Sequence, residues 1–478
     1  MYHISDIKKF IRCERLYFYS KEEDNVFKPY LRADESIIDL MIKYLKIDNY
    51  FLGVKNDKPE RFISEINNYE WFVRPRLADG ELRINVPLMR KTAKGFDLYF
   101  IYYGTTIKDL DTLTYQISCD VLNKMGYDYD NIYLVYLNGE YVNEGSLDVD
   151  KLFIITDEYK HQKLSKIISK LNVDYETVIK QMSTSSIKDY NPKKRKPCRL
   201  TGICDYYDRC FPNEAKLEDD SILSLVSSAK KNDMYDEGIR CLKDVDINRL
   251  EGNRVQYAQI MASKNNGLFF DRYALKDFLN DLNEYPISFI DFEWDRYLVP
   301  IYRGMKPMDV VCFEFALYIL DENGHLEHRT FVGTQDCRRE FVEGLIQYLP
   351  KTGPILAYNA LGAECLRLKE LMDVFPEYKD ELENMNSRFI DLATPFIEGI
   401  VYDTRMQGNY TLKRLVNICS EYDYSDLNID DGMAAVYNWR DIGKGSNDKE
   451  IIENLKEYCS LDAYGLYLVY CWLTKLLV

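Results

Sequence analysis

The chain has 478 residues, 46% of them hydrophobic, and a formal net charge of −16. That length supports a sizeable core and a prior of two to four domains. The acidic balance excludes a protein that coats nucleic acid by bulk charge, while a local basic groove stays open to it. No apolar run is long enough to span a membrane, and the start, MYHISDIKKFIRC, lacks the apolar stretch of a signal peptide. The expectation is a cytoplasmic protein with no membrane partner. Its 12 cysteines should then be mostly reduced, so a pattern among them points to metal before disulfides.

In chain order, ISDIKKFIRCERLYFYS reads as a helix. LRINVPLMRKTAKGFDLYFIYYGTT reads as two strands joined by a turn at Gly95. TLTYQISCDVLNKMGY reads as a helix and NIYLVYLNGEYV as a strand followed by an Asn-Gly turn. EYKHQKLSKIISKLNVDYETVIKQM has the period of a long helix. A basic run follows, with Lys193, Lys194, Arg195, Lys196 and Arg199. Such runs are usually solvated loops. This one adjoins Cys198, Cys204 and Cys210, evenly spaced in a polar segment, and Cys13 is the best fourth thiol. Cys119, Cys241, Cys312, Cys419 and Cys471 sit in apolar segments and read as core.

One early and three late cysteines resemble the layout of the iron–sulfur nucleases of the RecB-like PD-(D/E)XK group, including AddB. The resemblance implies a restriction-endonuclease-type fold over 1–215, with Cys13, Cys198, Cys204 and Cys210 on a 4Fe-4S cluster. Zn²⁺ is the alternative, since both use four thiolates. The late cysteines of that group are more tightly spaced at the first pair. Its members also carry an Asp on one strand, E-x-K on the next and a Gln on a helix. Here the matching positions hold Asn85, the aromatic segment Phe100 to Tyr103, and Gln116, with Asp97 preceding the strand. An amide and aromatic rings cannot replace acids and a lysine at a metal. This front domain therefore reads as catalytically inactive, with the basic run contacting phosphates.

Residues 216–280 read as a mostly helical connector, and 281–478 alternate strands with helices. YPISFIDFEWDRY is a strand presenting Asp291 and Glu293 on one face, because alternate strand residues share a face. DVVCFEFALYIL and HRTFVG continue a meander. GPILAYNALGAECLRLKELM is a strand ending at Asn359, then a helix starting at Glu364. SRFIDLATPF is a strand ending at Asp391, and NYTLKRLV a short helix. The last helix places Tyr458 and Asp462 four residues apart, on one face.

This order resembles the DEDD 3′→5′ exonucleases, whose fold is RNase H-like: a mixed sheet flanked by helices. The resemblance implies two Mg²⁺ or Mn²⁺ ions, which activate water and stabilise the leaving oxygen of a phosphodiester. Hard cations favour carboxylate oxygens. Asp291, Glu293 and Asp462 would hold them, Tyr458 would orient the water, and Glu364 would stand where the family has Asp. Asp391 is expected to shape the sheet, with a reserve role as ligand. The whole chain thus reads as an α/β (α+β) protein. Its expected activity is metal-dependent 3′→5′ exonucleolytic cleavage of single-stranded DNA. The alternatives are a non-catalytic nucleic-acid-binding scaffold and an RNA exonuclease.

Overall fold

The computed structural model describes residues 1–22, 30–33, 36–108, 111–156, 173–193, 198, 204–212, 218–228, 230–250, 252–422, 428–429, 431–445 and 447–478. The chain forms two compact units. Unit 1 comprises Met1–Asn213 and Tyr297–Asp309; unit 2 comprises Glu214–Arg296 and Val310–Val478. Both are mixed α/β, each with a sheet of parallel and antiparallel strands flanked by helices.

In unit 1 the strands are β1 (Tyr50–Leu52), β2 (Trp71–Val73), β3 (Arg76–Asp79), β4 (Leu82–Asn85), β5 (Leu88–Lys91), β6 (Phe96–Tyr102), β7 (Tyr129–Leu137) and β8 (Phe153–Thr156). Six of them form one sheet in the order β1-β2-β5-β6-β7-β8, and β3 and β4 form a separate hairpin. β6 buries apolar side chains on both faces, as a central strand does, with Asp97 the one acid among them. Phe96, Leu98 and Phe100 pack with α1 (Ile4–Arg12) and α2 (Thr112–Lys124), whereas Tyr99 joins the core on the other face. Leu298 and Val299, from the connection that follows Arg296, also belong to that second core.

The expected first helix is broken. Cys13 takes an extended conformation (φ −167°, ψ 123°) and separates α1 from a second helix, Glu14–Ser20. Of the expected long helix, Tyr175–Thr184 is helical, and 157–172 lie outside the described residues. Asp97 lies within β6 rather than before it. It is buried and accepts a hydrogen bond from Asn131 Nδ2 at 2.6 Å. Asn85 ends β4 in the separate hairpin, exposed and opposite Arg76.

Unit 2 begins with short helices and turns, a helix over Arg254–Lys264, and β9 (Leu268–Phe270). Its main sheet uses β10 (Ile287–Arg296), β11 (Val310–Leu320), β12 (Leu326–Val332), β13 (Ile355–Ala357) and β14 (Phe389–Asp391), in the order β12-β11-β10-β13-β14. β15 (Val401–Asp403) pairs with β9. β10, β11 and β12 form an antiparallel meander, while β13 and β14 run parallel to β10. Parallel neighbours need crossovers, and helices supply them. α3 (Arg338–Tyr348) leads into β13, and α4 (Glu364–Val374) leads towards β14. Ile290 and Phe292 of β10 pack under α3 and α4, with Phe341, Leu345 and Leu368. By the period of two, Asp291 and Glu293 face the opposite side.

That opposite side is covered by α7 (Asp448–Lys475), preceded by α5 (Leu412–Cys419) and α6 (Gly432–Asp441). Ala316 sits opposite Asp291 across the sheet and packs with Cys459 and Ala463 of α7. Small side chains at this contact let the helix approach the strands closely. Among the described residues, no helix is long and apolar enough to cross a membrane.

Candidate metal centre

Asp291, Glu293 and Asp462 converge. Each offers a carboxylate oxygen, and these oxygens lie within 4.8 Å of one another. Strand alternation brings the first two together, and the close packing of α7 adds the third. Asp462 is 7% exposed, whereas Asp291 and Glu293 are only half-buried, so the group keeps an open side. Burial pushes the Asp291 carboxyl well above the ordinary carboxylate range, and the charges of Asp462 and Glu364 push it further. Glu293 is raised by burial, then by Asp291 and Glu314, with Lys413 opposing. Three acids forced together, with Lys413 only partly opposing their repulsion, are a poor resting state. A hard divalent cation fits this all-oxygen set and relieves the repulsion.

The neighbouring side chains extend the group. Tyr458 hydrogen-bonds Asp462, and burial followed by the charges of Asp462 and Glu293 raises its phenol, which stays protonated. Lys413 of α5 lies over the Tyr458 ring, 4.9 Å from its centroid. The Cys459 thiol donates to Asp291 Oδ2 at 3.4 Å. The first turn of α6 lies against Glu293: a Cβ on Gly432 would stand 3.6 Å from Glu293 Oε2. A helix N-terminus there favours the anionic carboxylate.

Glu364 is the first residue of α4. It is 3% exposed, with Oε2 lacking a hydrogen-bond partner. Burial raises its carboxyl from 4.5 to about 8. An acid raised in the folded state holds protons that the unfolded chain has released. Stability therefore falls as pH rises from 4.5 towards about 8. In EDTA, the melting temperature is expected to be higher at pH 5 than at pH 8, and Glu364→Gln should flatten that slope. An equal slope in wild type and variant would contradict the assignment. Asp391 plays a connecting part. Its Oδ1 accepts the Asn359 and Ala393 amides, each at 2.9 Å, and so ties the end of β13 to the end of β14.

A separate cleft of about 850 Å³ lies beside α7, lined by Tyr318, His328, Tyr422, Lys456, Ser460 and Tyr464 among others. Tyr318 stacks on His328 with centroids 4.3 Å apart, and Tyr422 meets Tyr464 edge-on at 5.4 Å.

The cysteine expectation requires correction. Cys13, Cys198, Cys204 and Cys210 do line one small cavity in unit 1, and Arg15 Nε donates to Cys210 Sγ at 3.3 Å. All four are free thiols. A tetrahedral thiolate site with bonds of about 2.3 Å needs its sulfurs about 3.8 Å apart. Among the described residues, no three cysteines come within 4.8 Å of one another; the group that does is the carboxylate one. Neither a 4Fe-4S cluster nor Zn²⁺ is supported at these cysteines. Of the basic run, Lys193 is exposed, and Lys194, Arg195, Lys196 and Arg199 lie outside the described residues.

Glu314, Cys459, Lys413 and Gly432 escaped the sequence reading. Glu314 did carry a signal: it is the one charged residue in the strand VVCFEFALYIL. The other three become visible only when α5, α6 and α7 are placed on the sheet.

A family model described as a domain of unknown function (DUF2779) matches residues 288–411. The matched span is similar to that family and includes Asp291, Glu293, Glu314, Glu364 and Asp391. It stops short of Tyr458 and Asp462. No curated protein and no solved structure matches the chain.

Proposed function

We propose that unit 2 is a metal-dependent 3′→5′ exonuclease of the DEDD type, acting on single-stranded DNA. The observation that carries this reading is the convergence of Asp291, Glu293 and Asp462 on one open-sided group. The sheet order, with an antiparallel meander followed by two parallel strands, accords with an RNase H-like arrangement. Divalent cations held there would supply Lewis-acid stabilisation and a nucleophile at neutral pH. Asp291, Glu293 and Asp462 would hold them, with Glu364 beside Asp291. Tyr458, kept protonated and donating its one proton to Asp462, would accept a hydrogen bond from the attacking water through its phenol oxygen and so orient it. The aromatic cleft beside α7 suits unstacked bases, which stack on tyrosine regardless of sequence.

Full-length protein with 5′-labelled single strands of DNA and RNA, in Mn²⁺ or EDTA, provides the test. Stepwise shortening of DNA in Mn²⁺ alone is expected. Shortening of RNA alone would move the reading to an RNA exonuclease. Binding without cleavage of either would leave a scaffold.

We further propose that the basic run at Lys193 to Arg199 binds nucleic-acid phosphates. Replacing its five cations by Ala should reduce the slope of log affinity against log salt by up to about 3.5, at roughly 0.7 per single-strand contact. An unchanged slope in a filter-binding titration would reject that role.

A further inference from the structure

Glu314 is buried in the middle of β11 at 0% exposure, and neither of its carboxylate oxygens has a hydrogen-bond partner. Its direction is set by a β-bulge. Glu293 pairs with Glu314, but Trp294 pairs with Cys312, which leaves Phe313 as an extra residue in β11. Cys312 faces the apolar layer under α3 and α4. Without the bulge, Glu314 would face the same layer, two residues on. With it, Glu314 shares the α7 side with its cross-strand partner Glu293 and with Ala316. Bulges commonly re-aim a side chain next to a site. Directly opposite residues of an antiparallel pair have Cβ atoms about 5 Å apart.

The charges around Glu314 are mostly of its own sign. Asp291 and Glu293 feel its field, and it feels that of Asp462. Lys456 of α7 is the cation that acts on it. An ionised carboxylate buried without hydrogen bonds is costly, and a cation at the neighbouring acids would offset that cost.

We propose that Glu314, which lies outside the 4.8 Å group itself, supplies a fourth negative charge that strengthens Mg²⁺ or Mn²⁺ binding at Asp291, Glu293 and Asp462. This rests on the reading of those three residues as a divalent-cation site. The test is Mn²⁺ binding to the full-length protein, with free Mn²⁺ followed by electron paramagnetic resonance, alongside melting curves in EDTA. Wild type, Asp291→Asn, Glu314→Gln, Glu314→Asp and the exposed-turn control Glu322→Gln are compared. Glu314→Gln is expected to weaken Mn²⁺ binding about tenfold or more while melting no lower than wild type in EDTA, because it removes a buried charge. Glu314→Asp, with the charge kept and the arm shortened, should fall between the two. Wild-type Mn²⁺ affinity in both Glu314 variants, with Asp291→Asn impaired, would overturn the role of Glu314 and leave the three-carboxylate site standing. No Mn²⁺ binding by wild type would overturn both.

Discussion

Replacing Asp291 or Asp462 by Asn is expected to abolish cleavage, and Asp291→Asn also to stabilise the metal-free protein. Both effects follow from the same geometry. Asp291 and Asp462 reach one point from a strand and a helix, with Glu293 as the third contributor. An amide keeps the shape of the side chain but removes the charge that a hard cation requires. A loss of about a thousandfold or more is expected, about 4 kcal/mol of barrier. In EDTA the sign reverses. Burial and the neighbouring acids hold the Asp291 carboxyl well above its ordinary range, so ionising it at pH 8 works against the fold. Asp291→Asn should therefore raise the EDTA melting temperature at pH 8, by a few degrees at most. Undiminished cleavage by Asp291→Asn would remove the site from the reaction. A large fall in its melting temperature would mean that the carboxylate is a structural partner instead.

The largest stability loss is expected from Arg440→Met. Asp295, two residues beyond Glu293, is fully buried at its side chain. It is gripped by the Arg440 guanidinium through Nε to Oδ2 at 2.9 Å and Nη2 to Oδ1 at 2.6 Å. This pair fastens α6 to the end of β10. Exposed ion pairs contribute little, but removing one partner of a buried pair strands the other charge, at a cost of about 3–5 kcal/mol. Because α6 also places its first turn against Glu293, the variant should lose cleavage as well as stability. Asp295→Asn in the same chain should recover part of the stability, since the stranded group is then neutral. Urea unfolding, with the two units allowed separate transitions, measures both variants. A double variant no more stable than Arg440→Met would show that charge is not what the pair contributes.

Local patterns in the sequence determined a good deal. Alternation along YPISFIDFEWDRY put Asp291 and Glu293 on one face, because a strand repeats every two residues whatever surrounds it. The four-residue interval put Tyr458 and Asp462 on one side of the last helix for the same kind of reason. Each is a property of a single element, so the five main-sheet strands of unit 2, its last helix and three acids of the site were legible in order. Tertiary structure alone decided what required two distant segments to meet. It brought Asp462 to the strand pair through the Ala316–Cys459–Ala463 contact. It paired Asp295 with Arg440, 145 residues away, which no local period encodes. It placed four thiols around one cavity without closing three of their sulfurs into a ligand-sized group, because even spacing along the chain says nothing of separations in space. It also turned Glu314 from the apolar layer to the acidic face by one extra residue in β11, a change of pairing that depends on the partner strand and is invisible in either strand read alone.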